Sequence, residues 1–222
     1  RKVAARDQRK GRRKGKKIKP PDDTPPPSGQ SNLTDPDSGL MRKNKGSEYR
    51  QSYNAQASVS TDGSQLIVGN RVSPCAADRG ELVADVESVP EALGCVNTVL
   101  ADNGFASGEQ IDDLERRHME VLVATGRPNQ RRYDFRPPKP APPPAADPQP
   151  WVERMNARLH SARGRRLYRL RQQTVEPVFG IIKQVMGFRR FMLRGLQKVS
   201  GEWQLVCLAY NCKRLHRLLQ PG

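Results

Sequence analysis

Two carboxylates stand out by what surrounds them. Asp102 follows the short, mostly apolar run from Val96 to Ala101, so a buried strand would end on it. Glu176 is followed at once by Pro177. Proline favours the first turn of a helix and restricts the residue before it, which predicts Glu176 at or next to a helix start. Carboxylates at a strand end and a helix start can converge, and hard divalent cations take carboxylates rather than His or Cys. Lys183 then falls about 700° further round a helix, close to the face of Glu176, where an ammonium can meet a phosphate as a point charge. Each feature also has a plainer reading. Asp102-Asn103-Gly104 is a run of turn formers, and Glu176 suits a helix N-terminus through the dipole.

The elements that must position these groups are legible as a pattern. Ser52 to Ser60 alternates, with Tyr53, Ala55, Ala57 and Val59 on one face. An Asp62-Gly63 turn leads to a second run, Gln65 to Val72, which predicts a hairpin. A helix is expected over 78–94, N-capped by Asp78 and carrying Leu82, Val83, Val86 and Val89 on its apolar side. The strand ending at Asp102 comes next. A helix to about His118 follows, opened by a capping box of Ser107 and Gln110. Glu120–Ala124 is a further buried strand, and Trp151–Leu219 is helical almost throughout. Residues 1–31, basic and then proline-rich, are expected to be disordered, and 127–150 reads as a proline-rich insertion. Strands alternating with helices predict an α/β layer with a mixed sheet.

Charge narrows the partners. The 222 residues carry 39 Lys and Arg against 23 acids, a net +16. Residues 1–19 hold +10 and residues 151–222 hold +12, which leaves the middle at −6. Two cationic ends around an acidic centre suit phosphate-binding flanks beside a carboxylate site. No apolar run approaches the 18 residues of a membrane span. The cysteines, Cys75, Cys95, Cys207 and Cys212, have no disulfide or zinc spacing and read as buried reduced thiols. An opening Arg1 is read as a fragment, a processed product or an incomplete reading frame.

Five stretches follow one another in a familiar order: Asn32-Leu-Thr-Asp-Pro-Asp-Ser38, Ser52-Tyr-Asn-Ala-Gln-Ala57, Ala101-Asp-Asn-Gly-Phe105, Thr174-Val-Glu-Pro-Val-Phe-Gly180 and Gly187-Phe-Arg-Arg-Phe-Met-Leu-Arg-Gly-Leu196. They resemble bacterial insertion-sequence transposases of the DDE type with a Y-R-E-K signature, over about residues 32–219. The resemblance implies an RNase H-like mixed sheet flanked by helices, ending in a cationic helical region. It implies a two-metal site for Mg²⁺ or Mn²⁺, with Asp102 and Glu176 as catalytic ligands. It implies DNA contacts by Tyr168, Arg171, Lys183, Arg189, Arg190 and Arg194. The family's first aspartate sits on a leading strand in an Asp-Gly-Thr-like context, and nothing in residues 1–31 matches that strand. Asp35 and Asp37 fall in a separate Asp-Pro-Asp-Ser turn and are poor substitutes.

The expectation is therefore DNA transposition, with DNA as partner, no membrane, homo-oligomers when active, and a cytoplasmic, nucleoid-associated location. This chain is expected to be an inactive, truncated form whose catalytic domain, 32–219, lacks its first strand. Two other functions compete. One is a non-catalytic nucleic-acid-binding remnant. The other is a basic RNA-binding or ribosome-associated protein, which explains the charge and not the carboxylate motifs.

Overall fold

A computed structural model describes residues 32–42, 46–126 and 150–220. The expected basic tail, 1–31, and most of the proline-rich insertion lie outside the described residues. Among the described residues, six strands and five α-helices form an α/β structure. In chain order they are β1 (Gly39–Met41), β2 (Arg50–Ser52), β3 (Asn54–Val59), β4 (Ile67–Ser73), α1 (Leu82–Glu87), β5 (Thr98–Ala101), α2 (Gly108–Arg116), β6 (Glu120–Val123), α3 (Pro150–His160), α4 (Ala162–Gly180) and α5 (Leu196–Leu219). A π-helical segment, Ile181–Val185, continues α4.

The β3–β4 hairpin forms as its alternation predicts. The strands run antiparallel from Asn54 opposite Ser73 to Val59 opposite Ile67, with an irregularity at Ser58/Val59. The Asp62 carboxylate accepts the Ser64 N–H in the turn, and Gly63 supplies a φ of +93° that an L side chain rarely adopts. The predicted inward face, Tyr53, Ala55, Ala57 and Val59, packs against a core of Ile67, Val72, Val178, Ile182, Val199, Trp203, Cys207 and Tyr210. Four of those core residues, Val199, Trp203, Cys207 and Tyr210, recur at three- and four-residue intervals on one side of α5.

A second core belongs to the parallel β5–β6 pair, in which Thr98 faces Glu120 and Ala101 faces Val123. It gathers Leu82, Ala101, Ile111, Leu114, Val121, Val123 and Met155 from α1, β5, α2, β6 and α3.

Several expectations need correction. Residues 52–125 do not make one mixed sheet: β1–β2, β3–β4 and β5–β6 are three separate pairs. Both β3 and β5 line one cavity of about 500 Å³, and no described strand lies between them. Helix α1 is only six residues long. The Ser88 hydroxyl bonds back to the Asp85 carbonyl, and Pro90 opens a short 3₁₀ turn. Asp78 is not its cap, because its side chain is bonded elsewhere. Ser107 makes no capping hydrogen bond, and the Gln110 carboxamide accepts the Val83 N–H instead, tying α2 to α1. Of the cysteines only Cys207 is buried, and burial pushes its thiol up to about 12; Cys75, Cys95 and Cys212 are exposed.

Candidate functional site

Asp102 ends β5 as expected. Its backbone is extended, and its Oδ1 accepts the Gly104 N–H at 2.7 Å, opening a 3₁₀ turn over Asn103–Phe105. A carboxylate read from the sequence only as a helix cap joins it. Asp78 Oδ1 accepts from Asn54 Nδ2 at 2.6 Å and Gln56 Nε2 at 3.3 Å. A Cβ added to Gly104 would meet Asp78 Oδ2 at 2.8 Å and Asp102 Oδ1 at 2.9 Å. The two carboxylates therefore converge over a residue that has no room for a side chain. The signal for Asp78 was the spacing of Asn54 and Gln56, two amides on the same face of one strand and opposite its apolar face.

Helix α4 reaches this point through Tyr168, whose hydroxyl donates to the Ala101 carbonyl at 3.0 Å. Burial raises the phenol pKa, the Asp102 charge adds to the rise, and Arg171 opposes it. The Arg171 guanidinium lies 5.6 Å from the Tyr168 ring centroid and 3.6 Å from Glu176. Its Nε is buried without a hydrogen-bond partner. Arg171 and Asp102 line the same cavity. The structure thus brings Asp102, Tyr168 and Arg171 together, with Glu176 linked through Arg171.

Glu176 is not at a helix start, because α4 runs through Pro177. A proline inside a helix strips the carbonyl four residues back of its donor. That carbonyl, on Gln173, accepts from Gln65 Nε2 of the hairpin at 2.8 Å. A tertiary bond replaces the missing helical one, so the proline is tolerated.

Lys183 lies beyond the regular α-helical turns. It falls in the π-helical segment, where i→i+5 bonding replaces the α ladder, and its ammonium sits 5.4 Å from the Phe179 ring centroid. It joins Arg189, Arg190 and Arg194 around a second cavity of about 970 Å³, whose lining also includes Arg50 and Trp203. The loop bearing the three arginines is pinned by the Glu202 carboxylate, which accepts the N–H groups of Met192 and Leu193. Trp203 itself is core. Its indole N–H donates to the Gln56 carbonyl, and its ring stacks on Phe179 with Phe188 and Phe191 beside it.

Asp35 and Asp37 serve the start of α5. Asp35 Oδ1 accepts from the Tyr53 hydroxyl at 2.7 Å and the Gly195 N–H at 3.1 Å, and Asp37 accepts the Leu196 N–H at 2.9 Å. Gly195, at φ +81°, has no side chain to cap the helix, so two acids from the Asp-Pro-Asp-Ser turn supply the anions.

Residues 147–216 match the family model of the transposase DDE domain. No curated protein and no solved structure is significantly similar to the chain.

Within the matched segment the cations divide. Arg154, Arg158 and Arg163 are ion-paired to acids of the middle region, Arg154 to Asp112, Arg158 to Glu115 and Arg163 to Glu120. Among the described residues, Lys183, Arg189, Arg190 and Arg194 have no carboxylate partner; Arg189 is bonded to Gln184. No described group of three or more His, Cys, Asp and Glu could hold a metal ion. No described helix is long and apolar enough to cross a membrane.

Proposed function

We propose that this protein acts in DNA transposition by metal-dependent cleavage and strand transfer at insertion-sequence ends. In this reading residues 32–219 are an RNase H-like catalytic domain with a proline-rich insertion at 127–150 and a basic tail at 1–31. The observation that carries it is the junction of β5 and α4. Tyr168 of the transposase segment holds the carbonyl just before Asp102, and Arg171 pairs with Glu176. That supports Asp102 and Glu176 as the acids of one site.

The donor chemistry suits Mg²⁺ or Mn²⁺, and the number of donors falls short. Two cations in the complete enzyme would activate the attacking oxygen and stabilise the leaving oxygen, and no described third ligand completes a site around Asp102 and Glu176. Tyr168 and Arg171 position α4 against the strand end. Lys183, Arg189, Arg190 and Arg194 contact DNA phosphates. Exposed Leu205, Leu208, Leu215 and Leu219 on α5 support self-association of the active form. A cytoplasmic, nucleoid-associated location accords with a DNA partner.

The test uses a supercoiled plasmid carrying element ends, with Mg²⁺ or Mn²⁺. It compares this chain with one extended upstream by a strand bearing an Asp-Gly-Thr motif. The extended chain is expected to nick, and Asp102→Ala or Glu176→Ala to abolish nicking, while the chain itself does not nick. Failure of the extended chain to nick, with salt-sensitive DNA binding retained, would favour the non-catalytic binding remnant.

A further inference from the structure

We propose that Met192 and Leu193 form an apolar wedge that inserts between base pairs of duplex DNA and unstacks them.

Three observations meet at these two residues. The first is exposure. Met192 is 70% and Leu193 48% exposed, side by side on the loop between Ile181–Val185 and α5. Scattered exposed apolar residues are ordinary in a folded protein, so exposure alone assigns no role.

The second is how the pair is held out. Phe191, just before it, turns inward and meets Tyr53, Phe188 and Trp203 edge-on. The Glu202 carboxylate then accepts the Met192 N–H at 2.9 Å and the Leu193 N–H at 3.0 Å. Just beyond, the Gly195 N–H is bonded to Asp35 and the Leu196 N–H to Asp37. Folding the two side chains back onto the core would break bonds to a charged group. The backbone is already ordered for insertion, which lowers the entropic cost of binding.

The third is the setting. Arg190 precedes the pair and Arg194 follows it, and with Lys183 and Arg189 they line the same cavity as Met192 and Leu193. Cations suit phosphates, and phosphates offer nothing to a thioether or an isobutyl group. The apolar part of a duplex is its base stack, and methionine and leucine are among the side chains that wedge into base steps. An anionic bilayer would also attract the arginines, but an interfacial anchor presents the apolar face of a whole helix rather than two loop residues.

The inference rests on the reading above only in taking DNA as the partner. The probe is a short duplex with one central TA step and 2-aminopurine beside it, mixed with the full chain. A second duplex has an A-tract in its place, because TA steps unstack easily and A-tracts are stiff. With the native protein, 2-aminopurine fluorescence is expected to rise severalfold on the TA duplex, and that duplex to bind roughly tenfold more tightly than the A-tract. Met192→Ala with Leu193→Ala should lose the rise and the preference, and keep the native salt slope, since no phosphate contact is removed. Met192→Leu, still apolar, should keep the rise. Salt-sensitive binding by the native protein without a rise, or an equal rise with the double-alanine variant, overturns the wedge and leaves the DNA reading standing. Absence of salt-sensitive binding by the native protein overturns both. Vesicles of phosphatidylserine and phosphatidylcholine are tested alongside. Vesicle binding that the double-alanine variant loses, with its fluorescence rise on DNA intact, makes the tip a membrane contact and overturns the proposal.

Discussion

The β5–β6 unit and the approach to α5 use arginine in opposite ways. Around β5–β6, cations are neutralised locally. Arg117 meets Glu87 and Asp113, Arg154 meets Asp112, and Arg163 meets Glu120, whose carboxyl Arg163 holds below its usual range. On the approach to α5, Arg190, Arg194 and Lys183 face open space with no described carboxylate partner. The +12 counted over residues 151–222 is therefore not one uniform field. Part of it closes the acidic middle against α3 and the start of α4, and the remainder is presented outward. A linear charge count cannot separate the two, because the partners of Arg154 and Arg163 lie 42 and 43 residues away.

The largest test of this division concerns the cores. Trp203→Ala should cost about 3–5 kcal/mol and Leu114→Ala about 2–5 kcal/mol, read by chemical denaturation. If the clusters are independent, the double variant should lose the sum to within about 0.5 kcal/mol. Amide protection should fall in β3, β4 and α5 for Trp203→Ala, and in β5, β6 and α2 for Leu114→Ala. A coupling above about 1 kcal/mol would show that the two cores already act as one.

A smaller effect is tied to pH. Asp85 is buried beneath the hairpin, where Arg71 reaches it together with Glu81 and Gln56. Burial raises its carboxyl to about 6 despite the opposing Arg71 charge, and Asp78 adds to the rise. A raised carboxyl binds its proton more tightly in the folded chain. Its contribution is thus fully present below about pH 4 and lost as pH rises through about 6. Relative to Asp85→Asn, the native protein should lose on the order of 2 kcal/mol across that window. Parallel stability curves for the two proteins would refute it.

For DNA, Lys183→Ala with Arg190→Ala should flatten the log–log salt dependence of affinity by roughly 0.9 per phosphate contact removed. Arg117→Ala with Arg154→Ala should leave that slope unchanged, because those cations already have carboxylates. Equal effects from the two pairs would erase the contrast between the regions.

The parts legible in the sequence were those governed by local periodicity. The alternation of Tyr53 to Val59 and the strand end at Asp102 both follow from spacing. What was not legible depends on partners distant in the chain. Asp78 looked like a helix cap until Asn54 and Gln56 were placed beside it. Asp35 and Asp37 cap a helix some 160 residues away. Separate sheets could not be inferred, since alternation marks a strand and not its neighbour.

The smallest expected effect is the most specific. Pro177 looked like a helix start because proline lacks the donor that a helix interior requires. The chain keeps α4 continuous by supplying a donor from the hairpin, Gln65 Nε2, to the Gln173 carbonyl. The hairpin–α5 unit thereby braces the helix that carries Glu176. Removing that donor leaves a carbonyl without a protein partner, so Gln65→Ala should cost about 1 kcal/mol. Pro177→Ala restores an N–H at that position, and the Gln173 carbonyl can then bond within the helix. In that background Gln65→Ala should cost less than half as much, giving a coupling of roughly 0.5 kcal/mol or more in a double-mutant cycle. Gln65 also has a φ of +55°, so Gln65→Asn, whose side chain tolerates that region and is too short to reach, is the control for backbone strain. If Gln65→Asn matches the native stability, the bond to Gln173 contributes nothing and the proline is accommodated by the helix alone.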